Sequence, residues 1–307
     1  MDKVSVTVGL CVKNCAKTVH DALESIVSQN YPTNLMEIVV VDGKSIDGTL
    51  SIIKNYLSKT NIKTSYFSDE GNGLGVARQI VFDQARGKYV IWVDGDIVLP
   101  PDYFRRQVEF MESNPKVGAT RGNVGFPQDK QSKIAVLEYV SKLHYYNDKR
   151  KKTLSTFAGV YRTQAMREVG GFDKSIIGAG EDIDLTTRMR AAGWLLLLNE
   201  SEFYPKQRQT WKELWEQCQW YGCGGYYITH KSGSFEDFWA KIPPIGLILG
   251  LRDFFRAYRV AGIKIAFMLP FYRFIKDIAW WFGYVKAYFD HYKPDVRNRR
   301  YGHGSKC

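Results

Sequence analysis

The sequence has few cysteines, no long uninterrupted apolar run and no secretory leader. Its five cysteines among 307 residues form no C-x-x-C pair, which argues against a disulfide framework and a zinc site, so we expect reduced thiols. No basic and apolar leader precedes the first strand-like segment, which predicts a cytosolic protein. The apolar segments of the C-terminal part are interrupted by Arg and Lys before they reach the ~20 residues that span a bilayer.

Positive charge is concentrated in the C-terminal part of the chain. The net charge is +11, yet residues 1–120 hold 13 basic and 14 acidic residues, whereas residues 241–307 hold 13 basic and 4 acidic residues among many aromatic ones. Such a segment is typical of a protein that binds an anionic surface. No nucleic-acid reader motif accompanies it, so we expect no nucleic-acid partner.

Strand-like and helical patterns alternate through the first part of the chain. Apolar strands are predicted at Val4–Val8, Glu37–Val41, Ile62–Phe67 and in the run that ends at Val93, with helical stripes between them. Repeated β-α-β units predict an α/β fold with a doubly wound, mostly parallel sheet. The Gly73-Leu74-Gly75 turn is not a G-x-G-x-x-G fingerprint, which disfavours a dinucleotide site.

The most informative motif is Asp94-Gly95-Asp96, which directly follows the buried strand ending at Val93. Two carboxylates at the carboxyl end of such a strand repel each other unless a cation lies between them, so a divalent metal is the natural ligand, with Asp96 as the direct contact. Alone, an Asp-x-Asp triplet is a weak signal, because surface turns are rich in Asp and Gly.

A second acidic group, Gly180-Glu181-Asp182-Ile183-Asp184, lies at a predicted helix start. Acids in a first helical turn commonly only complement the helix dipole, and Asp42 and Asp47 could equally be turn caps. The order and spacing of the motifs favour a functional interpretation over these structural ones.

Four motifs stand in the order typical of family 2 nucleotide-sugar glycosyltransferases with the GT-A fold, and residues 4 to about 230 resemble that family. The motifs lie in Val39–Thr49, Asn72–Arg78, Asp94–Asp96 and Gly170–Arg188. The resemblance implies an α/β GT-A domain, followed here by a C-terminal amphipathic helical region.

The resemblance also implies roles for individual residues. Asp182 would be the catalytic base, and Asp96 with Asp94 would hold Mn²⁺ or Mg²⁺. The residues implied to bind the nucleotide sugar are Leu10, Asp42, Asn72, Arg78, Asp94 and Gly95. Those implied on the acceptor side are Glu181, Gln207, Arg208 and Trp211.

The sequence departs from the family pattern at several positions, among them Leu10–Asn14, which replaces the more usual Pro-x-Tyr-Asn after the first strand. Gly43 replaces a common acidic residue, which leaves the base preference open. Thr210 stands in the arginine position of the Gln-x-x-Arg-Trp motif of processive synthases, so processive synthesis is disfavoured. Tyr204 replaces a histidine that is a metal ligand in some members.

The predicted organisation is a catalytic domain at residues 1–230 and an amphipathic helical, membrane-interface region at residues 231–307. In the latter, Arg252, Arg256 and Arg259 fall at i, i+4 and i+7 with aromatic residues around them, as in helices that lie in an anionic membrane surface. The alternative is that these helices pack on the catalytic domain.

These observations predict an inverting, metal-dependent glycosyltransferase that is peripherally associated with the cytosolic membrane face. Its partners would be a nucleotide-diphosphate sugar, most simply a UDP-sugar, and a lipid-linked acceptor, either a polyprenyl phosphate or a lipid-anchored glycan; an oligomer is possible. The alternative is a catalytically silent scaffold that binds nucleotide sugar or anionic lipid.

Overall fold

The computed structural model describes residues 4–126, 131–146, 153–176, 178–232 and 239–290, and it divides into two compact units. The first unit consists of Met1–Gly125, Lys149–Ile177 and Glu181–Lys206. The second consists of Phe126–Asp148, Gly178–Gly180 and Gln207–Cys307.

The first unit is built on an eight-stranded sheet. Its strands are β1 (Val6–Val12), β2 (Met36–Asp42), β3 (Lys63–Ser68), β4 (Tyr89–Trp92), β5 (Ile97–Val98), β6 (Val117–Val124), β7 (Val160–Arg162) and β8 (Leu195–Pro205). They lie in the order β3-β2-β1-β4-β7-β6-β8-β5. Strands β1 to β4 are parallel, β7 is antiparallel to β4 and β6, and β5 is antiparallel to β8. The prediction of a mostly parallel α/β sheet is confirmed.

The helices of both units are numbered in chain order. They are α1 (Val19–Val27), α2 (Thr49–Leu57), α3 (Leu74–Gln84), α4 (Tyr103–Ser113), α5 (Lys133–Tyr146), α6 (Thr163–Glu168), α7 (Glu181–Ala191), α8 (Trp211–Ser232), α9 (Pro243–Arg252), α10 (Phe254–Ala261) and α11 (Ile263–Phe289).

The central strands are mostly apolar and are buried throughout, because both faces of the sheet are covered. All seven residues of β1 and all seven of β2 are buried, and β1 pairs with β2 on one side and β4 on the other. In α1, Val19, Leu23 and Ile26 recur at helical spacing and are buried, which gives the helix one apolar face for the sheet layer.

The second unit is helical, and α8 and α11 approach each other through glycines. A Cβ added at Gly222 of α8 would collide with the backbone carbonyl of Trp280, and one added at Gly283 of α11 would collide with that of Gln219. Only glycine permits backbones to come this close, so these two positions fix where the helices cross.

Helix α5 joins this unit through a buried carboxylate. Glu138 is 1% exposed, forms ion pairs with Lys142 and Lys276, and accepts a hydrogen bond from Tyr272 Oη. Burial alone would raise the pKa of Glu138, but the two lysines outweigh it and hold that pKa well below its usual range. The carboxylate therefore links α5 to α11 as a permanent anion.

The structure divides the chain differently from the sequence-based prediction. The boundary falls after Lys206 rather than at residue 230, and residues 126–148 join the C-terminal helices. Asp253 separates α9 from α10, so Arg252 and Arg259 do not share one continuous helical face. The side chain of Arg256 and residues 291–307 lie outside the described part.

Three cysteines have free thiols, as expected: Cys11, Cys15 and Cys218. Within the described ranges, no helix combines the length and apolar character that crossing a membrane requires.

Candidate active site

The candidate site lies where parallel strands of the first unit end. Strand β2 ends at Asp42, and β4 is followed directly by Val93 and the Asp94-Gly95-Asp96 triplet. Because β1, β2 and β4 are parallel, their carboxyl ends share one edge of the sheet, which is where open α/β sheets bind ligands.

Arg78, in the first turns of α3, lies between two carboxylates. Its Nη2 donates a hydrogen bond to Asp94 Oδ1 at 3.3 Å, and its Nη1 forms an ion pair with Glu181 Oε1. Arg78 is 4% exposed and Glu181 is 1% exposed. The guanidinium carbon also lies 5.9 Å from the ring centroid of Trp92. This cluster joins α3, the end of β4 and the start of α7.

Asp96 is half-buried on the other side of Gly95. A Cβ added at Gly95 would lie 2.5 Å from Cys15 Sγ, so the loop after β1 packs directly under the triplet. Burial raises the pKa of the Cys15 thiol to about 12, and the charge of Asp96 acts in the same direction. Cys15 is therefore a neutral packing group at physiological pH.

The carboxylate of Asp42 is buried and only half satisfied. The backbone N–H of Ser45 donates to Asp42 Oδ2 at 3.0 Å, while Oδ1 has no hydrogen-bond partner among the described residues. A buried acceptor without a donor is costly, and a ligand N–H or hydroxyl would remove that cost. This is the property expected of a residue that binds a nucleoside.

Lys13 and Asp69 accompany Asp42 at the same edge. Burial lowers the pKa of Lys13, while Asp69 and Asp42 oppose that shift. Burial raises the pKa of Asp69, although its carboxylate accepts hydrogen bonds from the N–H groups of Gly71 and Gly73. Asp69 thus shapes the turn that precedes α3.

Asp182 is half-buried in the first turn of α7. Its Oδ1 accepts a hydrogen bond from the N–H of Ile183 at 2.8 Å, and its Oδ2 accepts one from the N–H of Thr156 at 3.4 Å. These two backbone N–H groups orient the Asp182 carboxylate at the start of α7. Part of its surface stays open, as a general base requires.

The Gly170-Gly171-Phe172 turn holds α3 in place. Both glycines have positive φ, 80° and 73°, and the N–H of Phe172 donates to Gln79 Oε1 at 2.6 Å. The Phe172 ring packs edge-on against Trp92 with centroids 5.3 Å apart. The motif is structural, and its effect is to fix α3 beside β4.

Three predicted site residues have positions that differ from their predicted roles. Leu10 is fully buried within β1, because the strand is covered on both faces, so its side chain belongs to the core. Arg78 is engaged by Asp94 and Glu181 rather than directed at a diphosphate. Glu181 is buried against Arg78, so its side chain does not face an acceptor.

Asn72 is exposed in the turn before α3, with its N–H bonded to the Asp69 carbonyl. Gln207, Arg208 and Trp211 belong to the second unit, at and just before the start of α8. The Trp211 ring lies 5.8 Å from that of Tyr272, which is a packing contact within that unit.

Sequence reasoning did not single out Cys15 or Thr156. Cys15 supports Gly95 from a loop far from it in the chain, and Thr156 supplies an N–H to Asp182 while its own Oγ1 is buried without a hydrogen-bond partner among the described residues. Neither residue lies in a local motif, so no sequence signal points to them.

The donor set suits a hard divalent cation. Asp94 and Asp96 are carboxylates with partial exposure, which are ligands that Mg²⁺ and Mn²⁺ accept, with diphosphate oxygens and water completing the shell. Asp94 contacts Arg78, and Asp96 lies half-buried on the other side of Gly95.

Comparison with solved structures supports the fold. The mannosyltransferase PcManGT of Pyrobaculum calidifontis, in complex with GDP-Man and Mn²⁺, is 18% identical with a TM-score of 0.65, over 94% of this chain and 88% of that one. The 1–349 portion of Staphylococcus aureus TarS in complex with UDP is 20% identical with a TM-score of 0.52, over 94% and 92% of the two chains. The sheet and helices are thus those of GT-A glycosyltransferases.

Comparison with curated sequences gives more similar relatives. The poly-beta-1,6-N-acetyl-D-glucosamine synthase of Staphylococcus epidermidis is 31% identical over 252 residues, which is 76% of this chain and 56% of the relative. The poly(ribitol-phosphate) beta-N-acetylglucosaminyltransferase TarS of S. aureus is 26% identical over 206 residues, 64% of this chain and 34% of the relative. The chain spans about half the length of the first of these relatives, and less of the second.

Two family models match the sequence. The Glycosyl transferase family group 2 model matches residues 89–289. The Glycosyl transferase family 2 model matches residues 7–170, which is more than half of the chain and includes β2 and the Asp94-Gly95-Asp96 triplet. The chain therefore belongs to glycosyl transferase family 2.

Proposed function

We propose that this protein is an inverting glycosyltransferase that moves a sugar from a nucleotide-diphosphate sugar to a hydroxyl or phosphate acceptor. The observation that carries the proposal is the convergence of three groups at one sheet edge: the half-satisfied Asp42, the Asp94-Gly95-Asp96 triplet and the partly open Asp182. Membership of the family and the nucleotide-bound relatives support it.

The protein's own residues divide the reaction between donor and acceptor. Asp42 and its neighbours bind the nucleoside, and Asp94 and Asp96 would hold Mn²⁺ or Mg²⁺ beside the diphosphate. When bound, such an ion would supply the positive charge that the leaving diphosphate needs. Asp182 takes the proton of the acceptor while the acceptor oxygen attacks the anomeric carbon from the face opposite the leaving diphosphate. This attack inverts the configuration of that carbon.

The donor is the first part to test. Release of nucleotide from UDP-N-acetylglucosamine, UDP-glucose and GDP-mannose is measured with Mn²⁺, with water as the acceptor. We expect one donor to turn over at least ~10-fold faster than the others, since the nucleoside and sugar contacts discriminate between them. A chain that binds UDP or GDP but releases nucleotide from no donor would support the catalytically silent scaffold instead.

We further propose that the acceptor is lipid-linked and that the second unit docks on an anionic membrane. Large apolar side chains recur along the exposed face of α11: Phe267, Phe271, Phe282 and Phe289 are 64%, 66%, 58% and 71% exposed. Their spacing places them on one stripe of the helix. Each such ring contributes about 1.5–3 kcal/mol when fully buried.

Basic side chains accompany this apolar stripe. Arg252, Arg259 and Lys264 are exposed on α9, α10 and α11, and each basic residue near an anionic surface adds about 1 kcal/mol. An apolar stripe with basic neighbours is the combination that holds a helix in a membrane interface. These observations support a peripheral location at an anionic membrane face.

Sedimentation with liposomes tests the docking proposal. Phosphatidylcholine vesicles with and without phosphatidylglycerol are compared, for wild type and the double variant Phe267→Ser/Phe271→Ser. We expect binding that rises with anionic lipid, weakens with salt and falls at least ~10-fold in the variant. Ile46→Ser, which removes an exposed apolar residue of the first unit (78% exposed), is the matched control and should bind as wild type does. Concentration-dependent dimers that the Phe variant abolishes, without liposome binding, would assign the stripe to a second copy.

A further inference from the structure

The ion cluster around Arg78 joins three separate elements of the first unit. Arg78 comes from α3, Asp94 from the loop after β4, and Glu181 from the start of α7. The Arg78 and Glu181 side chains are 5% and 2% exposed, and that of Asp94 is 30% exposed. The cluster is therefore an interior support between two parts of the site rather than part of its open surface.

The geometry requires an arginine at this position. One planar guanidinium contacts the two carboxylates through its two terminal nitrogens, in a rigid fork that the compact ammonium of lysine does not reproduce. Removing one member of a buried ion pair leaves an uncompensated charge, which is strongly destabilising. Arg78, Asp94 and Glu181 thus hold one another in place, and none can move independently.

The carboxylates that bind Arg78 lie close in the chain to Asp96 and Asp182, the residues proposed to act on the donor and the acceptor. Asp94 lies two positions before Asp96, and Glu181 directly precedes Asp182. We propose that Arg78 is a positioning residue that fixes the spacing between the donor-side triplet and the base, and that it is not a diphosphate ligand. This inference rests on the proposed roles of Asp96 and Asp182.

A positioning role predicts that loss of Arg78 lowers kcat for UDP release while the affinity for UDP changes little. In Arg78→Gln, we expect kcat for UDP release from UDP-N-acetylglucosamine, or from the donor that the panel selects, to fall by about 10²-fold, because small misplacements of reacting groups cost that much. UDP affinity with MnCl₂, measured by calorimetry, should change less than ~3-fold, because Arg78 does not hold the nucleotide. Arg78→Lys should recover only part of kcat.

A second readout does not depend on activity. Hydrogen exchange is followed at the amides of Glu181 to Ile183, since the Ile183 N–H bonds to Asp182 Oδ1. Arg78→Gln should accelerate exchange there by at least ~10-fold, while amides of β1 and β2 keep their wild-type protection. Glu181→Gln should produce the same local effect, and the double variant should lose little more kcat than the worse single variant, because the two residues act as a unit.

Arg86→Gln is the matched control. Arg86 also pairs with a buried carboxylate, Glu37, at 3% side-chain exposure, but at the start of β2, away from the strand ends that carry the site. The Arg86→Gln variant should have a lower unfolding temperature than wild type but the same kcat. A loss of UDP affinity of ~10-fold or more in Arg78→Gln with kcat retained, multiplicative losses in the double variant, or unchanged exchange in α7 would each overturn the inference. A wild type that binds neither UDP nor GDP refutes the proposed function instead, and the exchange data still test Arg78.

Discussion

Gly95 is the point at which the metal triplet meets the loop after β1, and Gly95→Ala perturbs that contact alone. The added methyl would lie 2.5 Å from Cys15 Sγ and 3.3 Å from Cys15 Cβ. Carbon and sulfur normally stay more than ~3.5 Å apart, so one of the two segments must move by about 1 Å. Overpacking of this kind costs about 1–3 kcal/mol.

The displacement falls on the residues that the reaction uses. Asp94 and Asp96 flank the new methyl group on either side in the chain, so a shift of about 1 Å carries at least one carboxylate away from its position. We expect kcat/KM for donor hydrolysis to fall by about 10²-fold and Mn²⁺ to bind more weakly. The unfolding temperature should fall by roughly 2–10 °C.

The same structure predicts how to reverse the defect. Cys15→Ala removes the sulfur and leaves a Cβ 3.3 Å from the new methyl, a tight distance that a small adjustment relieves. Gly95→Ala/Cys15→Ala should therefore recover at least ~10-fold of the lost kcat/KM, while Cys15→Ala alone stays within ~3-fold of wild type. Steady-state kinetics and thermal unfolding are measured for wild type, the two single variants and the double variant, which together form a double-mutant cycle. If the double variant is as inactive as Gly95→Ala, contact with Cys15 is not the reason for a glycine here.

Three further predictions concern single side chains. Asp96→Ala, like EDTA treatment of wild type, should abolish transfer while thermal unfolding stays cooperative; turnover that survives chelation would contradict metal dependence. Asp182→Asn should lower kcat by about 10²-fold with little change in donor KM, and an equal loss of UDP affinity would remove it from the base role. Burial raises the pKa of Asp277 from 3.8 to about 6 despite three nearby basic side chains, so the folded state binds an extra proton between those values and loses stability as pH rises through 6. Asp277→Asn should therefore stabilise the fold by about 1–3 kcal/mol at pH 7.5 and by about 1 kcal/mol less at pH 5, and a pH-independent effect in chemical denaturation would refute this.

The sheet was predictable because its central strands are mostly apolar. In β1 and β2 every residue is buried, and such runs separated by helical stripes allow little besides a parallel α/β sheet. The triplet after β4 and the acid at the start of α7 were also visible, since both occupy local motifs that the family shares.

The pairing inside the site was not predictable from the sequence. Arg78 and Glu181 each lie in a recognisable motif, yet nothing local shows that they bind each other. The buried position of Leu10 follows from pairing on both sides of β1, which a motif comparison ignores. Long-range contacts of this kind depend on how elements pack, so they appear only in three dimensions.

The division into units was missed for the same reason. Helix α5 belongs with the C-terminal helices because Glu138 meets Lys276 and Tyr272 there. Its chain position, between two strands of the sheet, suggests the opposite. The exposed stripe of α11 likewise depends on which face of the helix packs against α8.

The ion pair between Glu138 and Lys276 has a practical consequence for protein production. An expression fragment that stops at residue 230 would retain Glu138 and Lys142 but would lose Lys276 and Tyr272, which lie on α11. It would also expose the flank of α8 at Gly222, which the backbone of Trp280 covers in the intact chain. We expect such a fragment to aggregate during purification, whereas a fragment extending through α11 to Phe289 retains Lys142, Lys276 and Tyr272 around this carboxylate.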